Sequence, residues 1–118
     1  MTVPAADTAS TRLALDFAGA VAAGDTTRAH GLLTSTLQSV MTPETLAHDY
    51  QRMVEYGEGP PAIVRVMTTM SAWPAREPED TEWVYVAIAN DSYSEAVTVV
   101  VTKEAARLAI RSVEWGRP

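Results

Sequence analysis

The chain contains no cysteine. A disulfide scaffold, a zinc–thiolate site, an iron–sulfur cluster and a thiol nucleophile are therefore all excluded. It is short of cations: nine Lys and Arg stand against fifteen Asp and Glu, leaving a formal charge of −6 and a pI near 4.7. A reader of nucleic-acid phosphates needs clustered Lys and Arg, so no nucleic-acid partner is expected. Apolar runs fall far short of the ~20 residues a membrane span requires, so no membrane role is expected. The opening MTVPAADTASTR lacks a charged region followed by an apolar stretch, so it does not read as a secretory leader. The formal sequon Asn90-Asp91-Ser92 is then read as a turn, and a cytoplasmic bacterial protein is the expectation. Also missing are Gly-x-Gly-x-x-Gly, a Walker-type Gly-Lys-Ser/Thr, Gly-x-Ser-x-Gly and His-Glu-x-x-His. Nucleotide-dependent chemistry, serine hydrolysis and zinc proteolysis are disfavoured, and no cofactor is expected.

What is present is a chain of 118 residues, 47% hydrophobic and 20% charged. That suits one domain able to bury a core without staples. Residues 1–9 are small and polar and read as a flexible N-terminal tail. Residues 10–118 read as a single domain. Its first half is Ala-rich and helical. Ser10 or Thr11 is expected to cap a helix running to about Ala23, with Leu13, Phe17, Ala20 and Val21 at helical spacing. Gly24 fits the left-handed position that ends it, and Asp25 caps a second, short helix through Leu33. Thr34–Met41 reads as a further helical turn. Thr42-Pro43-Glu44 then starts a third helix, an N-cap followed by Pro at the first helical position. Gly57 and Gly59-Pro60-Pro61 stop it.

The second half is β-branched. Ile63–Ser71, Glu82–Ala89, Glu95–Thr102 and Ala105–Trp115 read as four strands, antiparallel because the connections are short. A two-residue turn at Lys103-Glu104 sets Thr102 opposite Ala105, Val99 opposite Leu108 and Val97 opposite Ile110. One face then collects Val84, Val86, Ile88, Val97, Val99, Val101, Leu108 and Ile110 as the core layer. The other collects Trp83, Tyr85, Ala87, Thr98, Val100, Arg107, Ala109, Arg111, Val113 and Trp115. Glu114 takes the core-facing parity. The expected fold is α+β: three N-terminal helices packed on a curved four-stranded antiparallel sheet.

Residues 14–54, ALDFAGAVAAGDTTRAHGLLTSTLQSVMTPETLAHDYQRMV, carry a resemblance. Phe17 on a first helix, a Gly24-Asp25 break, a short helix ending in Leu32-Leu33 and a polar step Thr42-Pro43-Glu44 resemble the nuclear-transport-factor-two-like superfamily. The four following strands extend the likeness over nearly the whole chain. The resemblance implies a cystatin-like α+β cone whose bent sheet wraps its helices around an interior able to hold a ligand. Families of this kind include isomerases, cyclases, dehydratases, transport factors and toxin-neutralising proteins, so the likeness implies no single activity. Dimers through the sheet face are common among them.

Enzymes of this fold place a carboxylate or a histidine inside the cone. The candidates here are Asp16, in the apolar stretch LALDFAGAV, together with His30 and Tyr50. A buried Asp16 would have a raised pKa and could move protons. Against this, Asp16 also fits a solvent-facing position, His30 a partly exposed helix surface and Tyr50 the packed stripe of its helix. The only histidines are His30 and His48, with no metal-ligand spacing, so no metal site is expected.

Two features point instead to a protein partner. Trp83, Tyr85, Arg107, Arg111 and Trp115 share one sheet face with small residues, a composition typical of interfaces. Glu77, Glu79, Asp80 and Glu82 place four acids in six residues, able to attract a basic partner. The expectation is a non-enzymatic protein-binding module. Its most concrete version is a toxin-neutralising (immunity-type) protein that occludes a basic toxin domain, with a homodimer through the sheet face as a further possibility. The alternatives are a small-ligand binder, or an isomerase-, cyclase- or dehydratase-type enzyme using the cone interior with Asp16, His30 or Tyr50 as its acid–base group.

Overall fold

The computed structural model describes residues 8–116. Four helical segments precede four strands: α1 (Ala9–Ala22), α2 (Thr26–Gly31), α3 (Ser35–Gln38), α4 (Pro43–Val54), β1 (Ile63–Met70), β2 (Asp80–Ala89), β3 (Ser94–Glu104) and β4 (Arg107–Trp115). The class is α+β, with one more helical segment than the three main helices expected, because the turn at Thr34–Met41 forms its own short helix. The proposed tail lies mostly outside the described residues. Its last two residues are ordered, since Thr8 caps α1 and Ala9 begins it.

Each helix starts where a side-chain oxygen can satisfy free N–H groups. Thr8 does so for α1 in a reciprocal box with Thr11, Asp25 for α2, Thr34 for α3 and Thr42 for α4. Gly24 ends α1 at φ +80°, where a side chain would be strained. Ala14, Phe17, Ala18 and Val21 recur at helical spacing on the buried face of α1, which lies against all four strands.

The strands form an open antiparallel meander in the order β1-β2-β3-β4. Val84, Val86, Ile88, Val97, Val99, Val101 and Ile110 are fully buried beneath the helices. Each strand pair also carries one irregularity, at Met67, at Thr81 and at Arg111. These positions decide which way the functional candidates point, because one extra residue reverses the facing of everything beyond it.

The last hairpin differs from expectation. Glu104 pairs with Arg107, so the turn is Ala105-Ala106 and not Lys103-Glu104. The shift moves the pairing by an even count, so Leu108 and Ile110 still face the core. Val101, rather than Val97, stands opposite Ile110. The extra residue at Arg111 then flips the rest of β4. Val113 pairs with Val99 and Trp115 with Val97, so both turn inward, while Glu114, opposite Thr98, turns out.

The two sheet edges are unequal. Leu32–Thr34 runs beside β4, with Thr34 N–H donating to Ile110 O at 2.8 Å and Ile110 N–H to Leu32 O at 2.9 Å. Among the described residues nothing pairs with the free side of β1.

Candidate protein-docking surface

The face of the sheet turned away from the helices carries Ile63, Arg65, Thr68 and Met70 from β1, and Trp83, Tyr85 and Ala87 from β2. Ala96, Thr98, Val100 and Thr102 follow from β3, then Ala109, Ser112 and Glu114 from β4. Trp83 and Tyr85 stack nearly parallel, 7° between planes and 6.2 Å between centroids. Beside them Ile63, Met67 and Met70 are the exposed large apolar side chains of β1, with Arg65 the strand's only charge. Edge strands are usually guarded by charge, proline or cover. Here a thioether-rich edge with Arg65 as its one charge adjoins a half-exposed aromatic stack.

The far end of this face is covered by the turn between β1 and β2. Asp80, whose side chain is wholly buried, receives Arg111 Nε on Oδ1 at 2.7 Å and Arg111 Nη2 on Oδ2 at 2.6 Å. Arg111 also donates to Ala75 O and lies 3.4 Å from Glu77. Glu77 N–H donates to Asp80 at 2.8 Å, and Arg76 donates to Asp80 O while sitting over the Trp73 ring. Burial alone would raise the Asp80 carboxyl. The hydrogen bonds from Arg111, Glu77 N–H and Thr102, with the Arg111 charge, outweigh it and hold the group below the ordinary carboxylate range. The turn thus sits on a shallow 140 Å³ hollow walled by Trp73, Trp83, Val100, Arg111 and Ser112.

The acidic run is therefore divided by the irregularity at Thr81. Asp80 turns to the outer face and is consumed by Arg111. Glu82 pairs with Val101, turns inward and accepts the Thr8 hydroxyl at 2.7 Å, beside the N-terminus of α1, where a negative charge is favourable. Glu77 and Glu79 alone remain exposed. Asp80 and Glu82 are corrected from partner-facing acids to structural ones.

Trp115 is corrected as well, whereas Arg107 keeps its outer parity and is half exposed. Arg107 lies at the hairpin end and donates to Gly31 O and Leu33 O, tying the α2–α3 connection to β4. Trp115 points into the core, 6.2 Å from Phe17 and 6.5 Å from Tyr50 between ring centroids. Its Nε1 is buried and has no hydrogen-bond partner among the described residues. It also forms part of a 490 Å³ surface cleft with Asp49, Arg52, Met53 and Glu95.

The acid–base candidates are not brought together. Asp16 is exposed and lies 3.8 Å from Arg28. His30 Nε2 contacts Gln38 O at 3.2 Å while Gln38 donates back to His30 O, a clasp between α2 and α3. Tyr50 is buried in the core and hydrogen-bonded to Tyr93. Burial first, and that hydrogen bond second, push its hydroxyl far above the ordinary phenol range, so it stays protonated. No group of three or more potential metal ligands occurs among the described residues.

Sequence reasoning missed Asn90 as an organiser. Its amide donates to Glu58 O and Pro60 O and its carbonyl accepts Ser92 and Tyr93 N–H, fastening the α4–β1 loop to the β2–β3 turn. An Asn at a turn was the available signal.

No family model, curated protein or solved structure matches this chain.

Proposed function

We propose that the protein is a non-catalytic protein-binding module that docks through its outer sheet face and the open edge of β1. The observation that carries this reading is the stacked Trp83–Tyr85 pair beside exposed Ile63, Met67 and Met70 on an unpaired edge whose one charge is Arg65. Aromatic and Met side chains supply interface energy, and exposed apolar side chains gathered at one edge mark an interaction site. The separation of Asp16, His30 and Tyr50 supports the non-catalytic part. The element order supports the likeness to the nuclear-transport-factor-two-like superfamily, which adds no activity to the reading.

A second copy of the chain suits this face. Arg65 lies at one lateral edge and Glu114 at the other, with a largely uncharged centre. A two-fold axis along the strands sets β1 of one copy over β4 of its partner, and so Arg65 toward Glu114, an isologous and charge-complementary contact. The narrower version, neutralisation of a basic toxin domain, rests on exposed Glu77 and Glu79 and on the net charge of −6. Sedimentation velocity of the wild type and of Tyr85→Glu tests the self-pairing version. A dimer lost on substitution supports it, and a monomer at every concentration restricts the face to a foreign partner.

One observation favours a second reading, a small-ligand binder: Trp115 Nε1, without a partner among the described residues, beside the cleft of Asp49, Arg52 and Glu95. A buried donor left unpaired costs about 1–3 kcal/mol. An acceptor-bearing ligand would move the Trp115 indole N–H resonance, whereas docking at the outer face would move that of Trp83.

A further inference from the structure

A groove of about 460 Å³ separates α3 from the turn at 75–80, away from the Trp83–Tyr85 patch. One wall is apolar: Leu37 and Val40, the latter 69% exposed and the most exposed large apolar side chain among the described residues. The opposite lip carries Glu77 and Glu79, and Glu104 closes one end. Thr34 and Thr102, both buried, also line it.

The charges in the groove are not equivalent. Arg111 is neutralised by the bidentate pair with Asp80. Glu104 is held by the N–H and hydroxyl of Ser35. Glu79 and Lys103 are the free ones: among the described residues neither side chain makes a hydrogen bond or ion pair, although Lys103 N–H donates to Glu79 O at 3.0 Å. An apolar wall facing an unpaired carboxylate matches one kind of side chain, an aliphatic stem ending in a cation. We infer that this groove takes a lysine or arginine side chain presented by a protein partner, with its stem on Leu37 and Val40 and its charge at Glu79, flanked by Glu77. The inference rests on the protein-binding reading and adds the partner's chemistry: a basic residue on an exposed loop. Lys103, on the same lip, competes for Glu79 and acts against binding.

The test is a resonance-shift titration of the full chain with blocked Gly-Arg-Gly and Gly-Lys-Gly peptides, with Gly-Gln-Gly as the neutral control. Saturable shifts confined to Leu37, Val40, Glu79 and Thr102 are expected, with Gly-Gln-Gly silent. Glu79→Gln should weaken binding about threefold to tenfold, Val40→Ser should weaken it, and Lys103→Gln should tighten it. Asp91→Asn, in the turn at the other end of the sheet, should change nothing. Shifts spread over all acidic positions, an equal loss with Asp91→Asn, or no effect of Lys103→Gln would overturn the inference. That result would leave the outer-face reading standing. Loss of pairing at Tyr85 variants is a separate measurement, and its failure would not move these shifts.

Discussion

Asp80 and Arg111 meet as a two-point carboxylate–guanidinium pair, 2.7 and 2.6 Å, with the aspartate side chain wholly buried. Both residues owe their position to an extra residue in a strand. Without the irregularity at Thr81, Asp80 would follow Glu82 and Val84 onto the core side. Without the one at Arg111, Trp115 would remain outside. One ion pair thus fixes the acidic turn onto the sheet and divides the outer face into a covered end and an open end.

Removing one partner of a buried pair leaves the other charge uncompensated. Asp80→Asn and Arg111→Met should each cost about 3 kcal/mol, measured by urea unfolding at pH 7. The pH dependence follows from the lowered Asp80 pKa. A carboxylate that is more acidic in the folded state stabilises it above the unfolded-state pKa of about 3.9, and that contribution fades as pH falls toward the folded-state value. The gap between wild type and Asp80→Asn should therefore be full at pH 7 and pH 5.5 and shrink progressively below about pH 4.

Trp115 and Trp83 should respond oppositely to truncation. Trp115 packs against Phe17 and Tyr50, so Trp115→Ala should cost about 3 kcal/mol, whereas Trp83→Ala on the outer face should cost under about 1 kcal/mol. Equal costs would contradict the flip at Arg111.

Ala105 has φ +56°, a conformation that L residues other than Asn and Asp rarely hold. Ala105→Gly removes that strain and should raise stability by about 0.5 kcal/mol despite the added freedom of the unfolded chain. Thermal unfolding would read this as a small rise in Tm.

Gly57 packs against the β2–β3 turn. A Cβ there would lie 2.7 Å from the Tyr93 ring and 2.9 Å from Ser92 O. Gly57→Ala should cost about 1–3 kcal/mol and loosen the hydroxyl contact between Tyr93 and Gly59 O, visible as faster amide exchange around Ser92.

Much of the fold was legible because its signals are local. The Thr42-Pro43 start, the Gly24-Asp25 break and the valine alternation of β2 and β3 each have a mechanism within a few residues, and the structure contains all three. The candidate site was legible only in part. Trp83 and Tyr85 stand on the outer face as their parity requires. Trp115, Glu114 and Asp80 do not follow theirs, because strand irregularities carry no sequence signature here: Thr81, Met67 and Arg111 are not glycines. Arg107 keeps its outer parity but stands beside the turn rather than mid-strand, because the hairpin turn uses Ala105-Ala106, residues without turn propensity. The fate of Asp80 depends on Arg111, 31 positions away, and no local pattern encodes that pairing.

The most direct test of the docking account is quantitative capture from native-host lysate with three baits, wild type, Tyr85→Glu and Glu55→Gln, with a differently tagged second copy of the chain added. The account predicts at least one protein, the second copy included, that is enriched by wild type and Glu55→Gln and lost with Tyr85→Glu. Identical recovery on all three baits would contradict it.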